Sequence, residues 1–144
     1  MTSGKGFFQN LTGFLFRKQA GLRPDSTLPV IKTDLQTLNL SEDLLVWFGH
    51  SSYLIQMEGK RLLVDPVFCT AAPVSFVNKP FKGTEVYRPE DMPDIDWAIL
   101  ENGQYNEGWK YIHLMPGYMA AVARELKAAK ILTVHHSKYA LATH

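Results

Sequence analysis

The chain has 144 residues, 46% of them hydrophobic and 20% charged, the figures of one ordinary globular domain able to bury a single core. Lys and Arg number 15 against 14 Asp and Glu, so the formal charge of +1 leaves no broad electropositive field and argues against nucleic acid as a partner. The single cysteine, Cys69, can close no internal disulfide, and the chain has no Cys-x-x-Cys pair for a zinc ribbon or a thioredoxin-type site. A reducing, cytoplasmic setting fits this cysteine usage.

Taken in chain order, the first apolar stretch is Gly6 to Phe16, which Gln9, Asn10 and Thr12 interrupt and which is far too short to span a bilayer. Phe7, Leu11, Phe14 and Leu15 fall at helical spacing with Lys5, Arg17 and Lys18 close by. Two readings stay open: an amphipathic helix making peripheral membrane contact through residues 6–16, or a terminal helix packed on the body of the protein. Gly21 to Ser41, with Pro24 and Pro29, reads as an extended connector. Residues 1–41 are thus expected to form an arm and connector, and 42–144 the domain.

The organised part begins with three short apolar runs, Leu44–Phe48, Ser52–Met57 and Arg61–Asp65. Glu58-Gly59-Lys60 supplies a turn between the last two, which predicts an antiparallel meander. These runs are richly apolar rather than cleanly alternating, so at least one face of the sheet should be covered. Pro66 to Pro93 holds five prolines and no sustained period, the pattern of a long loop of the kind that lines sites. Trp97–Leu100 is a fourth strand. Met119–Lys130 reads as a helix with Tyr118, Val122, Leu126 and Ala129 on one face, and Ile131–His135 as a closing strand. His135 then stands at a strand end, where layered α and β folds collect their chemistry, and His136 should point to the opposite face if the strand continues.

Two blocks of this sequence resemble a known family. Trp47-Phe48-Gly49-His50-Ser51-Ser52-Tyr53-Leu54-Ile55 with Leu62-Leu63-Val64-Asp65-Pro66-Val67-Phe68 resembles the opening strands of metallo-β-lactamase-fold hydrolases. The look is that of the branch containing N-acylphosphatidylethanolamine-hydrolysing phospholipase D. Glu101 to Pro116, followed by Val134-His135-His136-Ser137-Lys138-Tyr139-Ala140-Leu141, is similar to the closing part of the same domain. The resemblance implies an α+β fold, part of an αββα sandwich, and zinc as cofactor in the intact family. It also implies a small-molecule or lipid phosphodiester as substrate. Carried onto this chain, it makes His135 a direct metal ligand, Asp65 a carboxylate that orients metal-binding histidines from behind, and His113 a residue beside the substrate. His136-Ser137 stands where the branch has Trp-Gly, and Gly117-Tyr118 where acidic residues begin the helix.

What the chain lacks is the family's His-x-His-x-Asp-His signature, expected after a strand that opens with a pair such as Ile95-Asp96. Asp96 runs instead straight into Trp97-Ala98-Ile99-Leu100-Glu101, which in the family is a later strand, so an internal deletion with its junction near 96–97 is expected. A hydrolytic zinc site needs three or more protein ligands and an open position for water. The other histidines, His50, His136 and His144, have no recognised metal spacing. Ser51 and Ser52 beside His50 form no nucleophile elbow, and Cys69 reads as an inert loop thiol. Two functions remain in competition: a zinc-dependent phosphodiesterase or phospholipase D-like hydrolase with an incomplete metal site, and a non-catalytic remnant that binds or scaffolds as a homodimer sharing strands.

Overall fold

The computed structural model describes residues 24–68, 81–103 and 113–136. The amphipathic stretch 6–16, Cys69, His144 and the parts of the second family block in 104–112 and 137–141 lie outside the described residues.

Five strands form one mixed sheet in the order of the chain: β1 (Leu44–Gly49), β2 (Ser52–Met57), β3 (Lys60–Val64), β4 (Ile95–Glu101) and β5 (Ala128–Val134). The expected meander is present, with β1 antiparallel to β2 and β2 to β3. Its second turn is the two-residue Glu58–Gly59, whose φ angles of 49° and 71° give the left-handed pair that a tight hairpin with the right strand twist requires. Glu58 N–H donates to the Asp43 carboxylate at 2.9 Å, fixing that turn against the entry to β1.

β4 then pairs parallel with β3, and β5 parallel with β4. Asp96 anchors the first of these pairings, accepting from Arg61 N–H at 3.0 Å and from Lys60 Nζ at 2.9 Å.

One face of the sheet carries the core. The cross-strand row Val46, Leu54, Leu63, Ala98 and Ile131 runs across all five strands. Over it pack Leu35 from the connector, Tyr87 and Met92 from the segment before β4, and Leu126. Each fully buried leucine here contributes roughly 1.5–3 kcal/mol. Beside this row lies a buried polar knot. Gln56 is fully buried and accepts from Arg61 Nε at 2.9 Å, while its amide donates to the carbonyls of Asn39 and Glu42, each at 2.8 Å. Arg61 also donates to the Leu38 carbonyl at 3.1 Å, so residues 38–42 are tied to the sheet by groups that would be costly to bury unpaired.

The helix is shorter than its sequence period predicts. α1 spans Met119–Glu125 and is closed by Lys127 in the left-handed region at φ 53°, with Lys127 N–H donating to the Arg124 carbonyl. Ala128, Ala129 and Lys130 are good helix formers, yet they pair with Ile95–Trp97 as the start of β5, because edge pairing outweighs a few tenths of a kcal/mol of propensity. Val122 and Leu126 face the core as expected, whereas Tyr118 is exposed at 57% and Ala129 points out from a strand. β5 ends at Val134, and His135 turns away at φ 65°, so the strand does not carry on through His136.

Candidate functional site

β1, β3, β4 and β5 run in one direction, so their C-terminal ends share one edge of the sheet. In open sheets with parallel strands this is the edge where the chain leaves a rigid frame for variable loops, and where ligands bind. The edge carries His50 and Ser51 from the first turn, Asp65 after β3, Glu101 to Gly103 at the end of β4, and His135 after β5. His50, Asp65 and His135 all hold positive φ, at 52°, 42° and 65°. Such backbone costs about 1–3 kcal/mol per residue and tends to cluster where a site over-determines it.

Asp65 is the most firmly held of these residues. Ser51 Oγ donates a short hydrogen bond to its carboxylate, Ser52 Oγ donates to its carbonyl at 2.5 Å, and its own N–H donates to Ile99 at 2.9 Å. Ser52 is fully buried and also accepts from Val67 N–H at 3.0 Å. The serine pair thus acts as a clamp on Asp65.

Glu101 organises the next position. Its carboxylate accepts a short bond from Leu114 N–H, lies 3.3 Å from His113 Nδ1 and 3.5 Å from Gly103 N–H. His113 therefore sits at the end of β4. Asn102 N–H donates to the Val134 carbonyl at 3.0 Å, while Asn102 Oδ1 is buried without a hydrogen-bond partner among the described residues. Gly103 passes directly against the His135 carbonyl. His135 itself is exposed, and His136 folds back on Thr133, with Nε2 3.0 Å from the hydroxyl and 3.2 Å from the carbonyl.

The structure brings Asp65, His113 and His135 to one edge but does not converge them. β4 stands between β3 and β5, which separates Asp65 and His135 by two strand spacings, roughly 10 Å. Among the described residues no group of three or more His, Cys, Asp or Glu could hold a metal ion. Among the described residues the edge offers His50, Asp65, Glu101, His113 and His135, but Asp65 is engaged by Ser51 and Glu101 by Leu114 N–H, and no three of these side chains form a ligand group that would fit zinc. Glu101, Asn102 and Gly103 open the second family-like block, but sequence reasoning does not single them out as site residues. An acidic residue ending an apolar strand was the available signal for Glu101.

A separate apolar groove of about 790 Å³ runs along β1. Leu28, Ile31, Phe68, Phe81 and Tyr87 line it, and His50 stands at its boundary. No helix among the described residues is long and apolar enough to cross a membrane.

No family model matches the chain. It is similar to N-acyl-phosphatidylethanolamine-hydrolyzing phospholipase D 1 of Caenorhabditis elegans, 35% identical over 88 residues, a match covering 57% of this chain and 24% of that protein. It is also 46% identical over 46 residues to outer membrane protein RomA of Klebsiella pneumoniae, covering 32% of this chain and 35% of that one. A solved structure of a metallo-beta-lactamase superfamily protein from Thermotoga maritima overlaps 68% of this chain and 78% of its own, at 17% identity and a TM-score of 0.32. The chain is thus similar to an N-acyl-phosphatidylethanolamine-hydrolyzing phospholipase D over a little more than half of its own length. It spans about a quarter to a third of the length of these curated relatives.

Proposed function

We propose that the chain descends from zinc-dependent phosphodiesterases of the phospholipase D-like branch and, as it stands, is a binding or structural protein without hydrolytic activity. The observation that carries this reading is the donor inventory at the strand-end edge. The sequence has no His-x-His-x-Asp-His, and the Asp65 carboxylate is engaged by Ser51. A zinc-bound water of lowered pKa needs three or more converging protein ligands and an open position, an arrangement the described residues do not form.

The internal deletion near 96–97 belongs to the same proposal. What supports it is the order of the sequence, in which Asp96 runs straight into Trp97-Ala98-Ile99-Leu100-Glu101; β4 itself is a continuous strand that pairs with β3 and β5 across this point. The single sheet is then one half of an αββα sandwich. The groove along β1, lined by apolar side chains, suits the acyl chain of a lipid phosphodiester and supports retained binding.

Metal analysis after purification in zinc, together with hydrolysis of bis(4-nitrophenyl) phosphate, tests the reading. Substoichiometric metal and no turnover above buffer support it. Stoichiometric zinc with turnover that His135→Ala abolishes overturns it.

A further inference from the structure

The second face of the sheet is apolar from edge to edge. In register across the strands, Leu45, Ile55, Leu62 and Trp97 form one row that ends on Lys130. Trp47, Tyr53, Val64, Ile99 and Leu132 form the next. The large side chains of these rows are open: Leu45 is 59% exposed, Trp47 63%, Trp97 39% and Leu132 50%. Those four alone leave roughly 450 Å² uncovered, as much as the whole of the largest apolar patch on an ordinary monomer, about 300–600 Å² and often functional. With the half-buried side chains between them, the face is on the order of the roughly 800 Å² that each partner gives to a standard interface.

From this we infer that the uncovered face is a self-association surface, closed by a second copy of the chain packing sheet on sheet. A sheet with one apolar face needs a second layer, and two twisted sheets pack about 10 Å apart with their strands within about 30°. The face suits its own copy. Its one charge within the rows, Lys130, lies at the rim with its ammonium 4.8 Å from the centre of the Trp97 ring, so a two-fold contact buries no ion pair and opposes no like charges at its centre. Width, twist and apolar character match by identity, and no central polar group in the rows other than the Tyr53 hydroxyl asks for a particular partner atom. This contact is distinct from strand sharing along the edge of β1, and it does not depend on whether the chain hydrolyses anything.

Sedimentation velocity on the full chain over a concentration series tests the inference, with Leu45→Lys and Leu132→Lys as variants at opposite ends of the face. The expected result is a dimer whose dissociation constant rises at least about tenfold in each variant, with the far-ultraviolet dichroism of the wild type retained. Two variants on different strands keep the test alive if one fails to fold. A monomeric wild-type chain that binds a hydrophobic dye overturns the inference, and so does a dimer that persists unchanged in both variants, which would put the contact elsewhere.

Discussion

The backbone of Gly103 and the carbonyl of His135 are packed so closely that a Cβ on residue 103 would lie 2.0 Å from the His135 oxygen. The chain leaving β4 and the chain leaving β5 therefore fix each other at the strand-end edge. Gly103→Ala should lower stability by about 1–3 kcal/mol, because the obstructing atom is backbone rather than a flexible side chain. Urea denaturation measures this. Gly117→Ala, with open space around its Cβ, is the control and should stay within about 0.5 kcal/mol.

The Asp96 carboxyl is held below its ordinary pKa, first by the Arg61 backbone N–H and then by the Lys60 ammonium. A folded-state value below the unfolded one gives stability that is present above the unfolded value and is lost as pH falls through the folded one. Urea midpoints should therefore fall on acidification below the usual carboxylate range. Asp96→Asn should lose part of that acid dependence while keeping an acceptor for Arg61 N–H. An acid limb identical to wild type would refute this.

Gln56 and Arg61 should behave as a unit. Gln56→Ala leaves Arg61 Nε and two carbonyls without their partner and should cost about 2–3 kcal/mol. The double replacement Gln56→Leu with Arg61→Met should cost less than the sum of the two single changes, since no buried donor is then stranded. A double-mutant cycle reads the difference directly.

Lys127 closes α1 at φ 53°, a conformation that glycine adopts freely and a β-branched residue resists. Lys127→Gly should hold or raise the melting temperature. Lys127→Val should lower stability by about 1–2 kcal/mol. The reverse order of the two variants would rule out this account of the helix end.

How far the sequence exposes this structure depends on whether the deciding interaction is local. The Glu58–Gly59 hairpin is legible because two adjacent residues carry its geometry. The end of α1 is not, since Ala128 to Lys130 favour helix and become strand through partners more than thirty residues away in β4. Asp65 and His135 stand at strand ends, as the order of the apolar runs predicts, and His113 reaches the same edge. What joins them to the fold escapes sequence reading: the Ser51 and Ser52 clamp, the Glu101 carboxylate on His113 and Leu114, and the close pass of Gly103 all arise from chain segments meeting in space.

The two parallel partnerships of β4 also set the order in which the molecule assembles. β1 to β3 are joined by tight turns and can zip together within microseconds, whereas β4 reaches β3 and β5 only by closing loops of roughly 25–30 residues on either side. Docking of β4 onto the meander is then the slow event. In stopped-flow refolding, Ala98→Gly in β4 should slow folding, while Val122→Ala in α1 should mainly speed unfolding. The sheet thus grows outward from β3: β5 joins it only through β4, and until β4 docks the chain is a three-stranded meander whose β3 edge stands open.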